Sequence, residues 1–333
     1  MLSSSGNVVV KTVIFAISLA LIAFSTWLFL NRQYVIDTLT IWSYEPTAAV
    51  QAVNSRAALT DKGAFYFYAT QPVLAEQDEF NTGCPRQEVG NPILGCYTGD
   101  GRIYIYNITN EQLDGMEEVT AVHEMLHAVW ARMSDTEREE MTNRLMAAYG
   151  EIENSDLADR MAYYERTEPG QIANELHSIL GTEFTSLSPE LEAHYAQYFN
   201  RATVLSLYAS YNSVYEALYE RADTLYAQME ALGTAIEQRL GSYTQQSAQL
   251  SADIATFNAR ATSGGFSSMS QFYAERAVLV GRTDQLEAER VAINADIASY
   301  NDMQGEYEQI AGQIELLNDS IDSFTTIEDT PSL

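Results

Sequence analysis

The strongest constraint on the fold is a long proline-free region between Pro189 and Pro331, in which apolar residues recur at every seventh position. One such row is Ala222, Met229, Ile236, Tyr243, Leu250 and Phe257, and a second is Leu279, Leu286, Ile293, Tyr300, Tyr307, Ile314 and Ile321. A sustained heptad repeat is typical of coiled-coil helices. Because Gly264 and Gly265 are the one strong break between the rows, we predict that residues 201–325 form a long antiparallel helical hairpin with arms of roughly 50 to 60 residues.

The other end of the chain carries an uncharged apolar run, residues 12–30. At about 1.5 Å per residue this run is long enough to cross a hydrocarbon core of about 30 Å. A cleaved signal peptide is the alternative, but the run exceeds a usual signal-peptide core and continues past the small-residue triplet at 23–25. We predict an uncleaved transmembrane anchor at 1–31. Lys11 and the terminal amine lie on one side of the run and Arg32 alone lies on the other, which favours a single-pass membrane protein with an extracytoplasmic body.

The net charge of the chain limits the classes of partner that it can bind. The chain has 46 acidic and 18 basic residues, a formal net charge of -28. Nucleic-acid phosphates and acidic lipids require clustered Lys and Arg, so this balance argues against both as partners. The two cysteines, Cys84 and Cys96, lie in a segment rich in Gly and Pro. In an exported chain this spacing favours a disulfide over the alternative of two buried free thiols.

The region 32–200 has mixed character. The stretch PTAAVQAVNSRAAL is helix-like, whereas GAFYFYAT and GRIYIYN are rich in aromatic and β-branched residues, which favour strands. The TGDG sequence before the second run is typical of a hairpin turn. We therefore predict an α+β unit with a small sheet, and we expect an exposed sheet edge near 102–107.

The segment AVHEMLHAVW, residues 121–130, indicates a metal-dependent hydrolytic site. On a helix, His123 and His127 lie one turn apart on the same face, where both imidazoles can bind one Zn²⁺ ion. Glu124 is rotated by about 100° and can act as a general base toward a water molecule that the metal acidifies. The alternative is a chance match on an ordinary helix. The helix is flanked by apolar residues that predict burial, where unpaired imidazoles are costly, at Val119, Val122, Met125, Leu126 and Val129.

A third ligand is expected from a later helix, because no further histidine follows closely. The stretch QIANELHSILGTEF, residues 171–184, offers Glu175, with Glu183 and His177 in reserve. Glu175 fits best because Ile172, Ile179 and Glu183 share its row at steps of three and four, on the face expected to be inward. The predicted metal ligands are therefore His123, His127 and Glu175, with Glu124 as the catalytic residue.

At this point the sequence resembles the gluzincin group of zinc metallopeptidases, through HExxH and the downstream run Asn174-Glu175-Leu176-His177-Ser178. The resemblance covers about residues 100–190 and implies an α+β zincin-like metallopeptidase domain at 32–200. It also implies that Asn174 orients a ligating histidine. The acidic residue that often follows the ligand glutamate by four positions is Ile179 here, which leaves the contact of the other histidine unassigned.

Several other residues are weaker candidates for a role in catalysis. An oxyanion-stabilising group is expected, and Tyr163, Tyr164 and His177 are candidates by type and sequence proximity. His194 is assigned no chemistry.

The sequence thus predicts a membrane-anchored, extracytoplasmic zinc metallopeptidase with a peptide or protein substrate, a helical hairpin at 201–325 and a tail at 326–333. The resemblance further implies that the substrate is held by strand addition at the sheet edge near 102–107. The hairpin is either a self-contained stalk or a surface for a partner or a second copy. One rival function is an envelope scaffold in which the hairpin is the working part and zinc is structural or absent. Another keeps the metal but cleaves an amide of a cell-wall component.

Overall fold

The computed structural model describes residues 5–84 and 93–323. The chain divides into two compact units. The first comprises the described residues up to Val214 together with those from Asn318 onward, and the second is Tyr215–Leu317. Most of the described residues are helical.

The first unit begins with two helices that are separated by one residue. Helix α1 (Ser5–Leu30) contains one apolar segment, Val10–Leu30, that is long enough to cross a membrane and is a candidate membrane span or signal sequence. Helix α2 (Arg32–Ser43) follows directly. The N–H of Asn31 donates to the carbonyl of Trp27 at 2.9 Å, so helical hydrogen bonding continues up to the junction.

Helix α3 (Ala48–Arg56) confirms the predicted helix, but the next segment corrects the prediction. The GAFYFYAT segment is not a strand. Its first seven residues lie in helix α4 (Asp61–Ala69), and its last residue, Thr70, is the C-cap of that helix. The Thr60 side chain caps this helix by accepting a hydrogen bond from the N–H of Gly63. Gly63 lies so close to the backbone of Tyr198 that a Cβ atom would stand 1.9 Å from the Tyr198 carbonyl oxygen. Helical packing therefore overrides the strand preference of the aromatic residues.

A three-stranded sheet follows, built from β1 (Val73–Ala75), β2 (Gly95–Tyr97) and β3 (Ile103–Tyr106), with α5 (Gln77–Gly83) after β1. The strand order is β1-β3-β2, with β1 parallel and β2 antiparallel to β3. The predicted hairpin is confirmed. The predicted exposed edge at 102–107 is wrong, because β1 pairs with the other side of β3 and makes it the central strand. The edge on the hairpin side is β2. The sulfur atoms of Cys84 and Cys96 are at bonding distance, which confirms the predicted disulfide.

A short 3₁₀ helix (Glu111–Leu113) leads into α6 (Met116–Arg132), which packs against β2, β3 and the later helix Ile172–Glu183. The helices that follow α6 are α7 (Asp135–Glu151), α8 (Ser155–Thr167), α9 (Ile172–Glu183) and α10 (Pro189–Tyr195). The five apolar residues predicted to be buried around the HExxH motif are buried. The core that surrounds them includes Leu176, Ile179 and Leu180 of α9.

The last two helices are α11 (Arg201–Thr262) and α12 (Met269–Ile321), on either side of the predicted Gly264-Gly265 break. Ion pairs join them across the second unit: Arg221–Glu306, Arg239–Glu289, Asp253–Arg282 and Arg260–Glu275. Residue numbers rise along α11 as those of the partners fall along α12, so the helices are antiparallel. Leu250 and Ile293 of the heptad rows are buried. The predicted helical hairpin is confirmed within the described residues, whereas its last two predicted residues and the predicted tail at 326–333 lie outside them.

Candidate metal centre

Two helices bring three potential ligands together. The α6 helix supplies His123 and His127, one turn apart, and α9 supplies Glu175. One donor atom from each residue lies within 4.8 Å of the other two. Nε2 of His123 is 3.8 Å from one carboxylate oxygen of Glu175, and Nε2 of His127 is 3.5 Å from the other. The residues predicted as ligands therefore converge, and the group has a geometry that can bind a metal ion.

The spacing of these donors fits a small divalent cation. In a tetrahedral zinc site, nitrogen and oxygen donors at about 2.0–2.2 Å from the ion stand roughly 3.3 to 3.5 Å from one another. The separations of 3.5 and 3.8 Å, which run to different oxygens of Glu175, are close to that range, and one donor atom of each residue lies within 4.8 Å of the other two. Two imidazoles and one carboxylate fit zinc but also suit other divalent transition metals, so the donor set alone does not identify the ion.

A hydrogen bond fixes the orientation of His127. Its Nδ1 atom lies 3.0 Å from Oδ1 of Asn174. Because an amide oxygen only accepts, the imidazole proton belongs on Nδ1, which leaves the lone pair on Nε2 facing Glu175. The contact predicted for Asn174 is confirmed. Ser178, one turn later on α9, donates to the carbonyl of His123 at 3.0 Å and further ties the two helices together.

The electrostatics of the cluster favour an ionised ligand carboxylate. Glu175 is 5% exposed, and burial by itself raises its pKa. The positive charges that His127 and His123 carry when they are protonated outweigh burial, so the pKa of Glu175 lies below its usual value. Tyr164 lowers the pKa of this carboxylate further. A metal ligand must be deprotonated, and these contacts hold Glu175 in that state.

Glu124 lies beside the ligands on the face of α6 that packs against β2. It is 6% exposed and packs against Gly95, where a Cβ atom would stand 2.8 Å from Cγ of Glu124. Burial raises the pKa of Glu124, and the two histidines reduce that rise without cancelling it. Since a general base works best with a pKa near the working pH, the shift favours proton transfer by this carboxylate.

The remaining candidates lie elsewhere. Glu183, a reserve ligand, forms a two-pronged ion pair with Arg160 at 2.5 and 2.9 Å. His177 is fully buried, and its Nε2 atom lies 2.8 Å from Nε2 of His194. Neither Glu183 nor His177 belongs to the ligand cluster found among the described residues. His194, which was assigned no chemistry, is the partner of His177.

Of the two tyrosine candidates, Tyr164 reaches the cluster, whereas the ring of Tyr163 packs beside Tyr164 and under the guanidinium of Arg166. Sequence reasoning missed Gly95 and Tyr97, which contact Glu124 from β2. The TGDG turn was a usable signal, because the residues just before a hairpin turn form the partner of the strand that follows it.

No protein-family model, no curated protein and no solved structure matches this chain. The gluzincin resemblance and the zincin-like fold stay predictions that rest on the residues quoted above.

Proposed function

We propose that the chain is a membrane-anchored, extracytoplasmic zinc metallopeptidase that hydrolyses peptide bonds. His123, His127 and Glu175 hold the metal, and Glu124 is the general base. The observation that carries this proposal is the convergence of three donors from two helices beside a buried carboxylate that is not one of the donors. A purely structural metal site has no need for that fourth group.

Each residue has a separate task in this reaction. Bound zinc would supply an electrophile for water and for the scissile carbonyl. The carboxylate of Glu124 accepts a proton from the attacking water and returns it to the leaving amine. Close packing of Gly95 holds Glu124 in place, and Tyr164, which lowers the pKa of Glu175, favours the ionised form of that ligand.

The edge strand β2 is suited to hold an extended peptide. Hydrogen bonds join Leu94 to Tyr106 and Thr98 to Arg102 across the hairpin. Because bonded pairs alternate along an antiparallel ladder, the backbone groups of Gly95 and Tyr97 point away from β3. A substrate strand that adds to this edge therefore lies beside Glu124.

The test is the replacement Glu124→Gln in the full-length chain, with Glu165→Gln of α8 as a matched, exposed control. We expect Glu124→Gln to retain metal and to lose roughly 10²- to 10⁴-fold in the rate of hydrolysis of a peptide library. The control should match the wild type in both properties. Full activity of Glu124→Gln would refute the mechanism.

A second function, an envelope scaffold, is favoured by the two long helices of Tyr215–Leu317, which expose apolar side chains such as Tyr226 and Val278. In that case the helices are the working part and metal only stabilises the first unit. Metal-loaded protein that hydrolyses no peptide in the library would favour this alternative.

A further inference from the structure

We infer that the substrates are membrane-anchored polypeptides, cleaved in the stretch that lies within about 30 Å of the membrane surface. The inference rests on the proposed function and adds a substrate class to it. It follows from the way the segment after the candidate span is built into the wall of the site.

The apolar span is separated from the body by a short distance. Only Asn31 separates α1 from α2. The N–H of Val35 donates to the carbonyl of Asn31 at 3.0 Å, as the N–H of Asn31 does to Trp27, so the backbone advances with a helical rise. At about 1.5 Å per residue, Asp37 lies no more than about 11 Å beyond Leu30.

A buried ion pair fixes α2 to the metal-binding helix α6. The carboxylate of Asp37 accepts hydrogen bonds from Nε and Nη2 of Arg132 at 2.9 and 2.8 Å. Asp37 is 3% exposed. Arg132 is the last residue of α6, and His127 lies about 8 Å before it along the helix. The span, α2 and the metal centre are therefore joined by short, rigid steps that together cover about 30 Å.

A cavity of about 590 Å³ lies beside the edge strand β2. Its walls include Asp37 and Thr40 of α2, Tyr97 of β2, and Arg102 after the hairpin turn. Gly95, two residues before Tyr97 on the same strand, packs directly against Glu124. A peptide paired with β2 therefore runs from Glu124 into a cavity that the helix next to the membrane encloses.

The outer face of α2 extends the apolar surface of the span. Leu39 is 57% exposed and Trp42 is 88% exposed, on the same helical row as Val35. Tryptophan is enriched where protein meets the membrane surface. Because this face continues from α1, its partner is the lipid surface, which keeps the metal centre near the bilayer.

This placement selects substrates by reach. An extended chain covers about 3.3 to 3.6 Å per residue, so about 10 residues beyond a substrate's own membrane span reach the metal centre. A substrate in the same membrane also has a high effective concentration, which falls as the linker lengthens. Soluble proteins lack both advantages.

The experiment places the full-length chain in liposomes together with extracted membrane proteins and identifies new N-termini by labelling and mass spectrometry. Glu124→Gln is the inactive control. We expect cleavages that depend on Glu124 to cluster within about 20 residues of substrate membrane spans. Cleavages spread evenly along large soluble domains would overturn the inference.

A matched variant carries a flexible insertion of about 20 Gly and Ser residues after Asn31, which adds about 25 Å of tether. We expect at least a 10-fold loss in cleavage near the membrane spans and an unchanged rate on a soluble peptide library. If the insertion variant cleaves both the membrane proteins and the soluble library at the rates of the unmodified chain, the inference is overturned and the proposed function stays intact. Cleavage of the soluble library alone by the unmodified chain does the same, whereas no Glu124-dependent cleavage of any kind overturns both.

Discussion

Gly95 lies directly against Glu124, since a Cβ atom at Gly95 would stand 2.8 Å from Cγ of Glu124. Only glycine lets the edge strand approach the proposed general base this closely. That Cβ atom would also stand 2.6 Å from the methyl carbon of Thr120, one turn earlier on α6. We therefore expect Gly95→Ala to push α6 and the Glu124 side chain away from β2 and to lower the rate of peptide hydrolysis by about 100-fold, because displacing a catalytic group by about 1 Å has that effect. Metal content should stay unchanged.

Helix α7 offers a control for this substitution. Gly150 is exposed and has no atom within 4 Å of the position that a Cβ would take, so Gly150→Ala should retain the wild-type rate. Equal rates for Gly95→Ala and the wild type would show that β2 does not position Glu124.

The orientation of His127 gives a second prediction. Its Nδ1 atom contacts Asn174 at 3.0 Å, and removal of such a contact typically lowers metal affinity by about 10- to 100-fold. We expect Asn174→Ala to weaken zinc binding by this factor, as measured by competition with a chelator. An unchanged affinity would mean that Ser178, at 3.4 Å from the same nitrogen, is sufficient to orient the ring.

Local patterns in the sequence predicted the parts of the fold that depend on local periodicity. The heptad rows predicted α11 and α12, and the spacing of Ile172, Glu175 and Ile179 predicted the inward face of α9, where Glu175 and Ile179 are buried. The HExxH spacing likewise placed His123 and His127 on one face, because a single helix fixes that relationship.

The errors arose where tertiary contacts decide. The GAFYFYAT segment became helical because Gly63 packs on the backbone of Tyr198, a partner far away in the chain. The central position of β3 depends on parallel pairing with β1, which has only three residues and gives no periodic signal. The ion pair of Glu183 with Arg160 and the pairing of His177 with His194 are also long-range contacts. No local pattern reports them.

The histidine pair predicts a dependence of stability on pH. Burial, followed by the charges of Lys62 and Arg144, lowers the pKa of His194 from 6.5 to about 4. In the unfolded chain the pKa returns to about 6.5, so in this window the unfolded state binds more protons than the folded state. We therefore expect the free energy of unfolding to fall as the pH drops from about 6.5 to about 4, with no contribution from His194 above that range.

The measurement is the midpoint of thermal unfolding of the detergent-solubilised chain across this pH range, compared with His194→Gln. The variant removes the titrating group and leaves a polar partner for His177, so its midpoint should depend less on pH. Comparing the two proteins at each pH cancels the effect of acid on the metal ligands. Parallel curves for the two proteins would contradict the assignment.

The most direct test of the metal centre is the metal content and zinc affinity of the purified full-length chain, measured beside Glu175→Ala and Glu183→Gln. We predict one zinc ion per chain in the wild type and in Glu183→Gln, because Glu183 pairs with Arg160 and lies outside the ligand cluster. In Glu175→Ala we predict an affinity lower by more than about 100-fold, since one of three protein ligands is lost. Wild-type affinity in Glu175→Ala would contradict the site.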